Sequence, residues 1–415
     1  MLNVRCSVHM PDFNTDLHER LETLRTRGLF RELRRVDSPP GTHIQIGGRT
    51  LLNFSSNDYL GLANEPQLKE AAIRAIEKFG AGSGAARLVC GSLAPHHELE
   101  ESLAAFKGTA AALSFSTGYA TAIGTITAIL GKDDLIIIDK LVHACIVDAA
   151  WLSGAKIRVF AHNDLEDLEK MLRWSATFRS SAGKPGRELQ PPRVLIVTES
   201  VYSMDGDAAP LQAIATLKEK YGAWLMVDEA HATGLYGKNR RGLAEESGVG
   251  DRIEIQMGTL GKAIGAAGGY ICGSRVLIEY LVNRARSFVF STAPVPAAAA
   301  AATAGIRFIQ SPAGENRRKQ LFQRIDECTP RAPLRPPHFK SAIIPVMIGD
   351  EAEAVSAAAA MREQGIFVPA IRYPTVARGQ ARLRVTVTAA HTPAEVGQLA
   401  GALKQLKVQD PKLEG

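Results

Sequence analysis

The stretch "RVLIVTESVYSMDGDAAPLQAIATLKEKYGAWLMVDEAHATG", residues 193–234, decides the fold class. It contains two short apolar runs, 193–200 and 224–230, with a helical stretch between them. Runs of the same kind occur at 134–139, 156–161, 253–259 and 268–273. Strands that are apolar on both faces and separated by helices form mostly parallel sheets with helices on both faces. The sequence therefore predicts an α/β protein built on such a sheet.

The chain of 415 residues is long enough for further parts on both sides of this sheet. The predicted parts are an N-terminal arm with short strands at 1–55, a large sheet domain at 56–295 and a smaller α+β C-terminal domain at 296–415. Leucines spaced among charges predict an amphipathic helix at 17–36. Further helices are expected at 66–78, 351–364 and 393–407, an alanine-rich helix leading out of the large domain near 291–305, and a polar loop at 179–193.

Composition and charge exclude several classes of function. The net charge of +6 is scattered without a basic stripe, which argues against nucleic acid as a partner. The five cysteines are widely spaced and form no CxxC pair, and no HExxH pattern occurs, so we expect neither disulfides nor a metal site. The first 20 residues are too polar for a secretory signal, and we expect a cytoplasmic protein.

One uncharged run, Thr109–Leu130, is long enough to span a bilayer. Ser, Thr and Gly interrupt the run, and basic residues are not enriched at one flank over the other. We interpret it as a buried strand, a loop and a buried helix, and expect no membrane association.

A single lysine lies in the glycine-rich stretch "GTLGKAIGAAGG", residues 258–269. Small uncharged neighbours would desolvate Lys262, lower its pKa and free the amine as a nucleophile and base. A phosphate-binding P-loop is the rival interpretation, but Gln256 and Ala263 occupy positions where that motif needs Gly and Ser or Thr. A surface lysine is the remaining alternative.

Three more features follow the predicted strands, where ligands collect in α/β sheets. Asp228, with His231 close behind it, ends an apolar strand and needs a cationic partner, such as a protonated ring nitrogen, unless it caps a helix. The helix start at Gly118 and Tyr119 offers N–H groups to a phosphate or is an ordinary capped end. His143 is a cofactor contact or a satisfied core histidine. An amine, a carboxylate and a phosphate site together indicate pyridoxal 5'-phosphate (PLP).

The chain resembles the α-oxoamine synthases, which are fold-type I PLP-dependent transferases. The matching motifs, in family order over roughly residues 20–410, are "NFSSNDYLGL", "HHELE", "TESVYSMDGDAAPL", "WLMVDEAHATG", "GTLGKAIG", "FVFST" and "RLRVTVTAAHT". The resemblance implies a mostly parallel large-domain sheet with helices on both faces, a smaller α+β C-terminal domain, and a homodimer with shared active sites.

The resemblance also implies roles for individual residues. The implied catalytic residues are Lys262, which would link covalently to the cofactor, His143, Asp228 and His231. The implied cofactor-binding residues are Gly118, Tyr119, His143, Ser203, Asp228, His231, Thr259, Lys262 and Thr292, with Ser291 and Thr292 reaching the phosphate from the partner subunit. The implied substrate-binding residues are Arg384 and Asn57 for the amino-acid carboxylate, and Arg34 and Arg372 for the acyl donor.

Within the family, "SMDGDAAPL" and "AIRYPTVARGQARLRVTVTAAHT" are most similar to members that condense L-alanine with pimeloyl-CoA or pimeloyl-carrier protein in biotin biosynthesis. Members that join glycine to acetyl-CoA are the nearest alternative, because "RLVCG" and "RGQAR" resemble their pattern too. Two hypotheses of other classes remain. One is a catalytically silent binding protein with the same fold, and the other is a phosphate-binding dehydrogenase.

Overall fold

The computed structural model describes residues 12–181, 192–328 and 339–406. The strands of this part of the chain are β1 (His43–Ile46), β2 (Arg49–Asn53), β3 (Ala111–Phe115), β4 (Leu135–Asp139), β5 (Lys156–Phe160), β6 (Val194–Glu199), β7 (Trp224–Asp228), β8 (Ile255–Thr259), β9 (Gly269–Gly273), β10 (Ile343–Gly349), β11 (Ile366–Phe367), β12 (Ala370–Ile371) and β13 (Ala381–Thr386). The α-helices are α1 (Phe13–Thr26), α2 (Pro66–Phe79), α3 (Ala94–Lys107), α4 (Gly118–Ile129), α5 (Ala144–Ser153), α6 (Leu165–Ser181), α7 (Leu211–Tyr221), α8 (Leu243–Glu246), α9 (Arg275–Arg284), α10 (Arg286–Val289), α11 (Pro296–Gln310), α12 (Pro312–Cys328), α13 (Glu351–Glu363) and α14 (Pro393–Leu403).

The central element is a seven-stranded sheet with the strand order β3-β9-β8-β7-β6-β4-β5. The neighbours from β8 through β7, β6 and β4 to β5 are all parallel, as predicted. Strand β9 runs antiparallel to both β3 and β8, so the sheet is mixed at one side. All six predicted apolar runs are strands of this sheet, and the fold-class prediction is confirmed.

Both faces of the sheet are covered, because side chains alternate along each strand. On β4, Leu135 and Ile137 belong to one buried cluster, and Ile136 and Ile138 belong to the other. Residues of β6 divide between the same two clusters. The first cluster also contains Val385 of β13, so it continues into the C-terminal sheet.

Two smaller three-stranded sheets complete the fold. One has the order β1-β2-β11, and the other has the order β10-β13-β12. Strand β13 approaches the loop after β6, because Arg382 pairs with Asp205 and the Nε of Arg384 donates to the carbonyl of Ser203 at 2.6 Å. The C-terminal strands therefore bring their arginines to the edge of the large sheet. Helix α11 packs against α2 and α3.

The predicted helix at 17–36 is wrong in its extent. Helix α1 ends at Thr26, and Gly28 has a φ of +65°, a left-handed conformation that favours glycine and ends helices. The amides of Leu29 and Phe30 both donate to the carbonyl of Leu24, which closes the helix end. None of the α1 side chains is buried, so its leucine stripe has no core to face in the described part of this chain.

Other boundaries shift by a few residues. Helix α6 continues to Ser181, so the polar loop predicted from residue 179 begins later, and most of it lies outside the described residues. The end of the helix predicted at 393–407 also reaches outside them. The run Thr109–Leu130 divides into β3 and α4, as expected. Among the described residues no helix has the length and apolar character that crossing a membrane requires.

Candidate active site

The carboxyl ends of the parallel strands bring several polar residues to one edge of the large sheet. Asp228 ends β7, and Thr259 ends β8. Glu199 ends β6 and lies directly beside Asp228 in the strand register. Strand β9 begins at this edge, since Gly269 pairs with Thr259. A single edge therefore carries two buried carboxylates and both ends of the loop that holds the lysine.

Lys262 lies in the connection from β8 to β9. Its Nζ is 2.7 Å from the Nε2 of His231. Burial lowers the pKa of Lys262 to about 8, although the charges of Asp228 and Glu199 act in the opposite direction. A substantial fraction of this amine is therefore neutral near neutral pH, as a nucleophile or a base requires.

His231 and Tyr59 extend from the lysine as a chain of contacts. The Nδ1 of His231 is 2.5 Å from the phenol oxygen of Tyr59, which is 3.4 Å from the Oδ1 of Asn57. Burial and the nearby Lys262 charge lower the pKa of His231 well below its usual range, so the ring is neutral. Burial raises the pKa of Tyr59 to about 12. His231 and Tyr59 are therefore both uncharged. Contacts at both ring nitrogens fix the orientation of His231.

Arg384 closes this network from strand β13. Its Nη1 donates to the Oδ1 of Asn57 at 3.1 Å and to the Oγ1 of Thr386 at 2.9 Å. Its Nη2 is buried and makes no hydrogen bond within the described residues. An unpaired buried donor on a cation is costly, and a carboxylate satisfies it best. The structure thus holds a guanidinium with one free arm at the site.

Asp228 and Glu199 form a coupled pair of buried carboxyl groups. Burial raises the pKa of both, that of Glu199 to about 8, and Lys262 counteracts the shift in each case. Glu199 accepts the backbone N–H of His143 and that of Ser203. Sequence reasoning did not propose Glu199 as a site residue. Its signal was present, because Glu199 ends the strand next to the one that Asp228 ends.

The start of helix α4 offers unpaired backbone donors. The side chain of Thr117 caps the helix by accepting from the amide of Ala120 at 3.0 Å. The first N–H groups, at Gly118 and Tyr119, have no partner within a helix and suit an anion such as phosphate. A Cβ on Gly118 would lie 3.8 Å from the Cβ of Thr259, so Thr259 borders the same position. The phenol of Tyr119 donates to Asp148 at 2.6 Å and is not the anion-binding group.

His143 stands at the start of helix α5 as its N-cap residue. Its Nδ1 accepts the amide N–H of Cys145 at 3.2 Å. Burial and Lys262 lower the pKa of His143, whereas Asp228 raises it. The charges of Asp228 and Lys262 both act on this ring, so His143 lies close to these two residues.

Other residues expected at the site lie at its border or away from it. Ser203 is buried, and its carbonyl rather than its hydroxyl contacts Arg384. Thr292 forms a bridge with Ala86, and Ser291 lines a small cavity with Arg87. In the described residues neither Ser291 nor Thr292 contacts the group around Lys262.

Arg372 and Arg34 belong to a separate cationic cluster beside the N-terminal arm. The Nη2 of Arg372 donates to the carbonyl of Phe30 at 2.7 Å, and its buried Nε has no partner among residues 12–181, 192–328 and 339–406. Burial, together with the charges of Arg31 and Arg34, lowers the pKa of Arg372. Three neighbouring guanidinium groups favour an anion. Arg31 was missed at the level of sequence because no motif distinguishes it from the other arginines of the arm.

The glycines around Lys262 lie against other segments of the chain. A Cβ on Gly258 would lie 2.3 Å from the hydroxyl of Tyr270, and one on Gly265 would lie 2.6 Å from the backbone of Leu62. A Cβ on Gly269 would lie 2.8 Å from the Cα of Gly118. These glycines therefore allow parts of this chain to pack closely, and they fix the lysine loop against α4. Within the described ranges, His, Cys, Asp and Glu form no group that could hold a metal ion.

Comparison with known proteins identifies relatives over almost the whole chain. Residues 49–403 match the model of the aminotransferase class I and II family. The chain is 48% identical over 388 residues to an 8-amino-7-oxononanoate synthase of Geotalea daltonii, covering 93% of this chain and 96% of that protein. It is 46% identical to another from Anaeromyxobacter dehalogenans, covering 95% of this chain and 97% of that protein.

Solved structures share the fold. A serine palmitoyltransferase from S. paucimobilis, solved with bound PLP-myriocin aldimine, has a TM-score of 0.85 at 30% identity, covering 95% of this chain and 98% of that one. An 8-amino-7-oxononanoate synthase from Francisella tularensis has a TM-score of 0.69 at 27% identity, covering 85% of this chain and 96% of that one. The family model spans both the large sheet and the C-terminal strands that carry Arg384. The chain therefore belongs to the aminotransferase class I and II family.

Proposed function

We propose that this chain is a PLP-dependent 8-amino-7-oxononanoate synthase, which condenses L-alanine with a pimeloyl thioester. The reaction forms a bond between the alanine Cα and the thioester carbonyl carbon. It breaks the Cα–H bond, the Cα–carboxylate bond and the C–S bond. The Cα takes up a proton after CO2 leaves and the departing thiolate takes up another, which yields 8-amino-7-oxononanoate, CO2 and free thiol. The relatives from Geotalea and Anaeromyxobacter that carry this name support the proposal.

The observation that carries the proposal is the combination of groups around Lys262. A lysine amine with a lowered pKa, a buried carboxyl at Asp228 and free N–H groups at the start of α4 fit the aldehyde, ring nitrogen and phosphate of PLP in turn. Bound PLP supplies an electron sink for the negative charge that develops on the amino-acid Cα. Asp228 would hold the proton on the ring nitrogen, which that chemistry needs.

The residues of this chain would then handle the proton and the substrate. Lys262, freed by the incoming amino acid, would take the Cα proton, since its pKa of about 8 suits a base near neutral pH. His231 would keep the amine oriented through its 2.7 Å contact. The free Nη2 of Arg384 would bind the alanine carboxylate, and Asn57 would hold the guanidinium in place.

The acyl donor belongs to the same proposal. Arg34 and Arg372 would attract the carboxylate or phosphates of pimeloyl-CoA or pimeloyl-carrier protein, because their cluster contains three cations and one buried unpaired donor. The donor would approach from the side of the N-terminal arm.

We also propose a cytoplasmic homodimer with shared active sites. Val89 and Phe290 are 78% and 71% exposed beside the bridge between Ala86 and Thr292, a surface that a second subunit would cover. Ser291 and Thr292 would then reach the phosphate of the partner subunit. Among the described residues, Cys90, Cys145 and Cys272 are free thiols, which suits a reducing compartment.

A substrate panel tests the reaction. Purified protein loaded with PLP is given alanine, glycine or serine with pimeloyl, acetyl, succinyl or palmitoyl thioesters, and thiol release is measured. We expect alanine with a pimeloyl thioester to have the highest kcat/KM. Preference for glycine with acetyl-CoA would replace the proposed substrates, and no thiol release with any pair would overturn the proposed activity.

A further inference from the structure

The N-cap of helix α5 is a histidine, and this constrains where the ring proton lies. His143 has the φ of −57° and ψ of 145° of a capping residue, and its Nδ1 accepts the N–H of Cys145 at 3.2 Å. The Sγ of Cys145 lies 3.0 Å from the same nitrogen. A backbone N–H only donates, so the Nδ1 must present a lone pair. In the neutral ring the proton is therefore on Nε2.

The surroundings of the ring oppose a second proton. A protonated Nδ1 would lose its acceptor role and place a positive charge at the positive end of α5. Of the charged groups that act on the ring, Lys262 opposes protonation, whereas Asp228 and Asp148 favour it. Burial and Lys262 outweigh the two carboxylates and lower the pKa of His143.

The thiol of Cys145 contributes a second donor. Burial, with Asp228 and Glu199 nearby, raises the pKa of Cys145 well above its usual range, so the sulfur keeps its proton. The S–H group can then donate to the Nδ1 that already accepts the backbone N–H. Glu199 fixes the backbone of His143 from the other side by accepting its N–H.

We propose that Cys145 is a positioning residue that holds His143 as the neutral Nε2–H tautomer through its backbone N–H and its thiol. The consequence for catalysis rests on the proposed function. With PLP bound, a neutral His143 ring would avoid the repulsion between an imidazolium and a protonated pyridine, and it would keep an Nε2–H donor available at the site.

NMR of the protein labelled with ¹⁵N-histidine tests the tautomer directly. His143→Asn, which keeps an N-cap acceptor, assigns the ring signals. We expect an unprotonated Nδ1, a protonated Nε2 and no titration through pH 6.5, where an ordinary histidine titrates. A protonated Nδ1, or titration near pH 6.5, would overturn the proposal.

Two variants separate the thiol from the backbone. Cys145→Ser keeps a side-chain donor and is expected to retain the wild-type spectrum, whereas Cys145→Ala is expected to raise the pKa of His143 and to shift the pH dependence of the visible PLP band. If the pKa of His143 and the pH dependence of the PLP band are the same in wild type and Cys145→Ala, the thiol does not hold the tautomer. If the alanine variant does not fold, loss of the Nε2–H state in the serine variant would count equally against it. The NMR measurement uses no substrate, so it tests the tautomer independently of the reaction. A protein that shows the Nε2–H tautomer but releases no thiol would refute the proposed reaction and leave the tautomer proposal standing.

Discussion

Replacing Arg384 by lysine tests whether its free arm binds the amino-acid carboxylate. The guanidinium donates through Nε to Ser203 and through Nη1 to Asn57, and its buried Nη2 has no partner in the part of the chain that the structure describes. Lysine keeps the positive charge but cannot hold these contacts and a carboxylate at once. A hydrogen bond between charged groups contributes about 1.5–3 kcal/mol. Arg384→Lys should therefore reduce kcat/KM for alanine by about 10- to 150-fold.

Steady-state thiol release with alanine varied, at saturating pimeloyl thioester, measures this loss. The matched control is Arg382→Lys on the same strand, because the hydrogen bonds of Arg382 in the described part of the chain go to Asp205 and to the carbonyls of Met204 and Gln380. The control should keep kcat/KM for alanine within a few-fold, and both variants should retain the KM for the thioester. Melting temperatures of the PLP-loaded proteins identify any loss of folding. An Arg384→Lys variant that folds and keeps the wild-type kcat/KM for alanine would refute the carboxylate assignment.

Four other variants and one pH series extend the test. Lys262→Ala should abolish both the visible PLP band and thiol release, and an intact band in this variant would contradict the covalent role. Because the neutral amine attacks the aldehyde, PLP incorporation into cofactor-free protein should accelerate up to about pH 8 and then level off, and a rise that continues towards pH 10 would indicate an ordinary lysine. Glu199 has a pKa of about 8, so its ionised fraction in this pH range raises the pKa of Lys262, and Glu199→Gln should move the midpoint of the same stopped-flow pH series to lower pH. Lys107→Met leaves the buried Glu229 without its cation and should cost about 3–5 kcal/mol in denaturant unfolding, whereas Lys218→Met, whose partner is half exposed, should cost much less.

The sequence alone was enough to predict the site residues that follow the ends of strands. Asp228 and Lys262 follow apolar runs, and a parallel sheet brings the ends of such runs to one edge. Glu199 obeys the same rule and was missed because only the strand register puts it beside Asp228. Tyr59 could not be predicted in this way, since it reaches His231 across the fold from the segment between β2 and α2.

The error in the N-terminal helix has a related cause. Leucine spacing shows that a segment can form an amphipathic helix, but it does not show where the helix ends. Gly28 was the available signal, because a glycine with positive φ commonly ends a helix. The glycines near Lys262 show the opposite problem. Their number was evident from sequence, but their packing partners, such as Leu62 and Gly118, come from distant segments.

The pairing of β8 with β9 has a consequence for the movement of the lysine. Thr259 and Gly269 are hydrogen-bonded neighbours, so residues 260–268 form a connection tied down at both ends. Within it, the amide of Leu260 donates to the carbonyl of Gly268 at 2.9 Å, which shortens the free segment further. An amine on so short a tether stays at a high effective concentration beside its reaction partner whenever it is released. The hairpin would thus make recapture of the cofactor a fast intramolecular event and loss to solvent a rare one.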